Sequence, residues 1–408
     1  MPTLLSVNNY YYYRGGAETV FLEHNRLFEG LGWKVVPFAM HGPRNLQTPW
    51  ADYFVDEIEF GASYTFGEKL RRIPRVIYSF QARRNLARLL AKTCPDLCHA
   101  HNIYHHISPS ILGLLKARGV RTVLTLHDLK IACPAYNMLT HDGICERCRG
   151  GRIHNVVIHR CIKGSTKLSA LVFLESLVHR LIGSYRHNVD LFLVPSQFYI
   201  AKMIEWGMPP HVFRHIPNFV DGRRFEPRYE AGKSILFFGR LAKEKGLHTL
   251  IRAAAAAGCK LELVGTGPEL DSLVGLTNET GAEVQFRGYL TGPELHQAIH
   301  GARAVVLPSE WYENAPMSIL EAYALGKPVI GAKIGGIPEL IREGDTGFLF
   351  PSGDATSLAQ TLRRICDMPD SDVADMGRSG RSWVDTEFTS HAYTTRVLAA
   401  YRELGIAS

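Results

Sequence analysis

Short apolar runs alternate with amphipathic segments along most of the chain. The runs 3–8, 122–126 and 234–238 are rich in Leu, Val, Ile and Phe, which is typical of strands buried on both faces of a parallel sheet. Between such runs, segments such as 17–31 repeat apolar residues with the helical period. This alternation predicts an α/β fold with parallel sheets.

The alternation occurs twice, which predicts two Rossmann-like domains. We place an N-terminal domain at residues 1–215, a C-terminal domain at 216–389 and a final amphipathic helix at 390–408. The predicted strands are 3–8, 34–39, 97–100, 122–126 and 191–194, then 234–238, 260–264, 284–286, 304–307 and 328–331. The predicted helices include 17–31, 67–93, 109–118, 168–183, 197–206, 246–257, 292–299, 315–325 and 390–404.

The stretch 304–340 carries the richest candidate chemistry. Ligands of parallel α/β sheets bind beyond the carboxyl ends of the strands, and Glu313 falls there, between a strand and the predicted helix 315–325. Glu321 follows eight residues later, just over two helical turns, so both carboxylates can face one cleft. The free N–H groups at the start of the helix can hold an anion at the same place.

Glu313 and Glu321, with the residues after them, resemble the motif of the retaining glycosyltransferases of family 4, also called glycosyl transferases group 1. The matching string continues through Ala322, Gly326, Pro328-Val329 and Gly335-Gly336-Ile337-Pro338-Glu339. These enzymes have the GT-B architecture, in which two Rossmann-like domains face each other across a cleft and the last helix crosses back to the first domain. The resemblance implies this fold and a nucleotide-diphosphate sugar of the UDP or GDP type as donor.

Two cations follow the first strand of the second half. Arg240 and Lys245 are spaced as in the family's Arg-x4-Lys pair. A diphosphate leaving group needs its negative charge balanced, and two cations with a helix end can do so without a metal. The alternative is two surface bases on a loop.

The resemblance implies a role for each cleft residue. Glu313 would accept hydrogen bonds from the donor sugar, and Glu321 would bind the ribose hydroxyls. His127, at the end of strand 122–126, would align the anomeric carbon, as a catalytic residue beside Glu313, Arg240 and Lys245. The predicted donor-binding set is Gly15, Gly16, Arg240, Lys245, Gly265, Gly267, Glu313, Asn314, Ala315, Pro316, Met317, Ser318 and Glu321. The predicted acceptor-side set is His101, Asn102 and His105.

The resemblance implies a retaining hexosyltransferase that needs no cofactor for catalysis and uses a saccharide or lipid-linked saccharide acceptor in cell-surface polysaccharide biosynthesis. Asn314 and Ala315 replace a glycine and an aromatic residue that are frequent in the family, which bears on the identity of the donor. Two alternatives remain, a GT-B sugar-nucleotide epimerase and a non-catalytic sugar-nucleotide-binding protein. The dinucleotide fingerprint G-x-G-x-x-G is absent after both Gly15 and Gly265, which counts against an NAD or FAD enzyme.

Four of the eight cysteines lie within 29 residues. Their pattern, C-x11-C-x2-C-x12-C, favours a structural Zn2+ over disulfides in a cytosolic protein. The alternative is a group of reduced thiols packed in a small insertion. The segment resembles the cysteine-bearing loop of a subset of family 4 enzymes. The predicted ligands are Cys133, Cys145, Cys148 and Cys161.

The net charge of +7 is unevenly distributed. Residues 1–215 carry 26 Lys and Arg against 15 Asp and Glu, whereas 216–408 carry 20 against 24. Much of the excess lies at 69–92, where basic and apolar residues are interleaved, so this segment is either a solvated helix face or a surface for anionic lipid head groups. We see no nucleic-acid recognition module, and we predict no nucleic-acid partner.

The predicted location of the protein in the cell depends on two features that the sequence lacks. It has no run of 18 apolar residues and no basic, apolar leader at its start, so we predict neither a membrane span nor a signal peptide. We expect a cytoplasmic protein that is peripheral at the inner face of the membrane.

Overall fold

The described residues form two parallel sheets of six strands each, which confirms the predicted GT-B architecture. A computed structural model describes residues 1–57, 76–140 and 142–406. The first sheet has the order β2-β1-β3-β4-β7-β8, and β5 and β6 form a separate hairpin. These strands are β1 Thr3–Val7, β2 Lys34–Phe38, β3 Leu97–Ala100, β4 Arg121–Thr125, β5 Leu139–Thr140, β6 Gly143–Ile144, β7 Leu191–Val194 and β8 Phe213–His215.

The second sheet repeats this arrangement with the order β11-β10-β9-β12-β13-β14. Its strands are β9 Ser234–Phe238, β10 Leu261–Val264, β11 Val284–Gly288, β12 Ala302–Leu307, β13 Val329–Ala332 and β14 Gly347–Phe350. Strands β1, β12 and β13 are buried along their whole length, and most of their side chains are apolar. We call the first sheet with its helices the first lobe, and the second sheet with its helices the second lobe.

Helices cover both sheets. Several begin at a Ser, Thr or Asp whose side chain accepts a hydrogen bond from a free N–H of the first turn, as at Ser79, Ser196 and Thr389. The helices of the first lobe are Gly16–Gly30, Phe80–Thr93, Ser110–Ala117, Asn155–Ile158, Thr166–Leu181, Ser184–Asn188 and Gln197–Glu205. Those that follow are Leu247–Ala257, Leu270–Thr280, Gly292–His300, Met317–Ala324, Ala355–Asp367, Asp370–Glu387 and Ser390–Glu403.

The last helix, Ser390–Glu403, packs on the first lobe, as predicted. Its buried residues Tyr393, Val397 and Tyr401 share a core cluster with Leu4 of β1 and Phe28. Tyr401 Oη also lies 2.6 Å from His99 Nδ1 inside the first sheet. Apolar burial and a buried hydrogen bond therefore fix the end of the chain to its beginning.

Two predicted features differ from the structure. The predicted helix 67–93 falls partly outside the described residues, and in the described part a helix runs from Phe80 to Thr93. The predicted helix 315–325 begins only at Met317, because Pro316 has the extended backbone of an N-cap residue. Among the helices that the structure describes, none combines the length and apolar character needed to cross a bilayer.

Candidate functional site

A cleft of about 1010 Å³ lies between the two lobes at the carboxyl ends of their strands. The first lobe contributes the loop after β1, which includes Gly15 and Gly16, and His127 after β4. The second lobe contributes the loops after β9, β10 and β12. Every residue of the predicted donor-binding set lines this cleft. The structure therefore brings together residues that are up to about three hundred positions apart in the sequence.

Among the charged residues predicted from the sequence to bind the donor, Glu313 is the most buried, with 6% of its surface exposed. Its Oε1 accepts hydrogen bonds from Lys245 Nζ at 2.6 Å and from Ser309 Oγ at 2.8 Å. Burial alone would raise the pKa of Glu313, but the charge and hydrogen bond of Lys245 outweigh it and hold the pKa below the usual value. Glu313 is therefore an ionised acceptor at neutral pH.

Glu321 lies on the helix that begins beside Glu313. Burial raises the pKa of its carboxyl group to about 7. The carboxylate thus gains and loses its proton near neutral pH. The helix starts at Met317, which lines the cleft together with Ser318, and the N–H groups at a helix start can bind an anion there.

Glycines let the loops of the cleft approach one another closely. A Cβ on Gly336 would lie 1.9 Å from Asn314 O, and one on Gly335 would lie 2.3 Å from Glu313 O. The Gly335-Gly336 pair therefore supports the loop of Glu313 through close backbone packing. In the same way, a Cβ on Gly265 would lie 1.8 Å from Gly239 O, which places the loop after β10 against the loop of Arg240.

His127 is half-buried at the first-lobe side of the cleft, and desolvation lowers its pKa to about 4, so the ring is neutral. Its Nε2 lies 2.8 Å from Nδ1 of His101, which is completely buried. The Nε2 of His101 has no partner among the described residues. A buried N–H without a partner is rarer than a buried lone pair without one, so we assign the proton of His101 to Nδ1, which donates to Nε2 of His127. The proton of His127 is then on Nδ1.

The predicted acceptor-side residues occupy other positions. His101, Asn102 and His105 are not among the described residues that line the cleft. His101 supports His127 from behind, and His105 Nδ1 lies 3.2 Å from Glu175 Oε1. Contact of these residues with an acceptor stays a prediction.

The sequence analysis missed several residues of the cleft wall. Ser309 binds Glu313, and Asn218 donates from Nδ2 to Ala315 O at 2.8 Å. Ser309 could have been found, because it follows a predicted strand after only one residue. Asn218 depends on a contact between distant segments. The same holds for a contact of Asn314, a residue of the predicted donor-binding set, whose Nδ2 donates to Leu126 O of the first lobe at 2.8 Å.

The four clustered cysteines line one small cavity of about 10 Å³, and all of them are free thiols. Burial raises the pKa of Cys133 to about 11 and that of Cys148 to about 12, so these thiols are protonated. Across the described residues, no group of three or more His, Cys, Asp or Glu side chains is arranged to hold a metal ion. The donor set suits Zn2+, but its side chains would have to turn toward a common centre to bind it.

Two family models together match most of the chain. Residues 14–224 match the model described as Glycosyltransferase Family 4. Residues 221–383 match the model described as Glycosyl transferases group 1. The junction of the two matches falls between the two lobes.

The curated proteins that are similar to this chain include sugar transferases. The sulfoquinovosyl transferase SQD2 of Arabidopsis thaliana is 30% identical over 53% of this chain and 45% of its own length. The putative colanic acid biosynthesis glycosyltransferase WcaL of Escherichia coli is 26% identical over 53% of this chain and 57% of its own length. The chain thus spans about half the length of these curated relatives.

Solved structures share the whole fold at low identity. Sucrose-phosphate synthase from Thermosynechococcus elongatus superposes with a TM-score of 0.73 at 21% identity, over 100% of both chains. Anabaena HepE in complex with UDP superposes with a TM-score of 0.69 at 17% identity, over 99% of this chain and 100% of its own.

Proposed function

The chain belongs to glycosyltransferase family 4, and from this premise we propose that it transfers a sugar from a nucleotide-diphosphate sugar to a saccharide or lipid-linked saccharide in cell-surface polysaccharide biosynthesis. The observation that carries this proposal is the ionised Glu313 beside Lys245 and a helix N-terminus, all on the wall of one cleft. HepE, which binds UDP and UDP-glucose in solved structures, supports a donor of this class.

The proposed mechanism retains the configuration of the sugar. Glu313 accepts hydrogen bonds from the sugar hydroxyls, and the backbone N–H groups of the loop after it hold the sugar and the β-phosphate. Arg240 and Lys245 stabilise the negative charge of the departing diphosphate, so no metal is needed for this step. The neutral His127 donates its Nδ1–H to the sugar and aligns the anomeric carbon. The acceptor hydroxyl then attacks on the face from which the diphosphate leaves.

The experiment that tests this function is a screen of UDP and GDP sugars with saccharide and lipid-linked acceptors. We expect release of nucleoside diphosphate that depends on the acceptor, and a glycosidic product with the anomeric configuration of the donor. Binding without transfer would favour the non-catalytic alternative. Conversion of the donor without an acceptor would favour an epimerase, although we place no acid and base pair for that reaction.

The pKa of Glu321 predicts a pH dependence of nucleotide binding. If the ribose hydroxyls donate to the carboxylate, only the ionised form binds well, and this form increases as the pH rises through 7. We expect the Kd of the nucleoside diphosphate to fall about tenfold between pH 6 and pH 8. Isothermal titration calorimetry at several pH values measures this. In the variant Glu321→Gln the affinity should be weaker and nearly independent of pH, and an unchanged profile would contradict the assignment.

We propose that the cysteine cluster takes up a structural Zn2+ that orders the segment 133–161 and takes no part in transfer. Its four thiols surround one cavity, which supports the proposal. Metal analysis of the purified protein should give about one zinc per chain, and Cys145→Ser should lose it together with stability. Full stability in metal-free protein, with four titratable thiols, would instead support packed thiols.

We also propose that the first lobe binds the cytoplasmic leaflet. On helix Phe80–Thr93, Arg84, Arg88 and Lys92 are exposed at a spacing of one turn, while Leu86 and Leu89 are buried. Each basic residue near an anionic surface contributes about 1 kcal/mol, which salt weakens. Residues 69–75 of the basic segment lie outside the described residues.

The membrane proposal predicts a specific result in vesicle co-sedimentation. The protein should bind anionic vesicles at low salt and neutral vesicles weakly. Changing Arg84, Arg88 and Lys92 to Glu should reduce binding and leave nucleotide affinity intact, because none of the three is among the described residues that line the cleft. Equal binding to neutral and anionic vesicles would mean that this helix face has only a solvating role.

A further inference from the structure

The cysteine-bearing segment 133–161 contacts the second lobe through Glu146. Its Oε1 accepts a hydrogen bond from Tyr312 Oη at 2.8 Å. Glu146 lies between Cys145 and Cys148, whereas Tyr312 directly precedes Glu313 in the cleft. This contact joins a segment outside the cleft to the loop that carries the proposed sugar-binding carboxylate.

Tyr312 is held by the first lobe at its backbone as well as at its side chain. Tyr199 Oη donates to Tyr312 O at 3.0 Å, and the ring of Phe198 lies 4.8 Å from the ring of Tyr312. Lys202 Nζ donates to the same Glu146 oxygen at 2.7 Å and lies 5.3 Å from the Tyr312 ring centre. The hydroxyl, ring and carbonyl of Tyr312 therefore all contact first-lobe residues.

The position of Glu146 is set by the local structure of the cysteine-bearing segment. Cys145 N donates to Met138 O at 2.8 Å, and Arg149 N donates to Glu146 O at 3.0 Å. Asn155 Nδ2 donates to Arg147 O at 2.7 Å from the following short helix. These bonds close a turn around Glu146, so a change in the fold of this segment would move the carboxylate.

We propose that Glu146 is a positioning residue, through which the cysteine-bearing segment fixes Tyr312 and hence the loop of Glu313 when the two lobes meet. The proposal deepens the proposed function and rests on it for the role of Glu313. The bond between Glu313 and Lys245 is 2.6 Å long, and a displacement of about 1 Å in such a site costs up to about a hundredfold in rate. The hydrogen bond between Glu146 and Tyr312, which are 166 residues apart in sequence, can therefore affect the geometry of the donor site.

Steady-state kinetics of matched variants test the proposal. Glu146→Ala and Tyr312→Phe should each lower kcat about tenfold, and the double variant should lose no more than either single one. Glu146→Gln should retain most activity, because its amide oxygen can still accept a hydrogen bond from Tyr312 Oη. Glu205→Ala is the control, since Glu205 pairs with the same Lys202 at 2.9 Å and with Arg149 of the cysteine-bearing segment at 2.6 Å, and the described residues show no hydrogen bond from Glu205 to Tyr312. Independent, multiplicative losses would overturn the proposal.

The cysteine-bearing segment adds a second comparison. Cys145→Ser should lower kcat in the wild-type background and have little further effect in Tyr312→Phe. An equal loss in both backgrounds would mean that the segment acts on catalysis by another route and would overturn the proposed link.

A measurement without turnover separates this inference from the proposed function. Hydrogen exchange in the peptide that contains residues 309–314 should be faster in Glu146→Ala and Tyr312→Phe than in Glu205→Ala and the wild type. Equal exchange in all four proteins would overturn the positioning role even if the enzyme is active. Faster exchange in a protein that transfers no sugar would support the link and refute the proposed function.

Discussion

Replacing Lys245 with methionine is expected to lower kcat/KM by a factor of about 10² to 10³, equivalent to about 3–4 kcal/mol of transition-state stabilisation. The lysine has two proposed roles, because it neutralises the leaving diphosphate and holds Glu313 through a 2.6 Å hydrogen bond. Methionine keeps most of the aliphatic volume and removes the charge. The measurement is the initial rate of nucleoside diphosphate release with donor and acceptor varied.

The same substitution should also destabilise the free protein. Glu313 is 6% exposed. Without Lys245 its carboxylate either stays charged, with hydrogen bonds from Ser309 and nearby donors, or takes up a proton. We expect a loss of about 1–3 kcal/mol in the free energy of unfolding at pH 7, since the ammonium group itself is partly exposed and the pair is not fully desolvated.

A double variant separates the two roles. Removing both charges with Lys245→Met and Glu313→Gln should recover much of the lost stability, because no unpaired charge remains in the wall. Activity should not recover, since the acceptor for the sugar hydroxyls and the cation for the phosphate are both changed. Recovery of activity with stability would show that Lys245 acts only through folding.

Sequence patterns predicted the sheets well because buried parallel strands are nearly continuous apolar runs. Strand β9 falls at 234–238 in both the prediction and the structure. Strand β14, Gly347–Phe350, was missed because Gly, Asp, Pro and Ser residues that are typical of loops flank it on both sides. Helix starts were less accurate where proline occurs, because proline is favoured at the first helical position, whereas Pro316 is the N-cap of its helix.

The sequence predicted which residues line the cleft but not which of them contact one another. Residues at the carboxyl ends of parallel strands must converge, which explains why the whole predicted donor set lines one cavity. The pairing of Lys245 with Glu313 joins two loops 68 residues apart, and the bond between Glu146 and Tyr312 joins two lobes. Local periodicity contains no information about such pairs, because they depend on how the lobes pack together.

Arg240 provides the second large expected effect, and its surroundings make the interpretation simpler than for Lys245. The residue is exposed on the cleft wall, in the loop after β9. Removing an exposed guanidinium leaves no buried group unpaired, so Arg240→Ala should unfold at nearly the wild-type temperature. A loss of activity in this variant would therefore report on the reaction and not on folding.

We expect Arg240→Ala to lower kcat/KM by about 2–4 kcal/mol, because the negative charge on the diphosphate grows as the glycosidic bond breaks and the cation is placed to meet it. Arg240→Lys should recover part of the loss, since it restores the charge but not the fork of N–H donors. Lys243→Ala is the matched control, because Lys243 is on the same loop but is not among the described residues that line the cleft. The assay should be repeated with EDTA. Activity that EDTA abolishes, together with little effect of Arg240→Ala, would mean that a divalent cation carries the charge that we assign to Arg240.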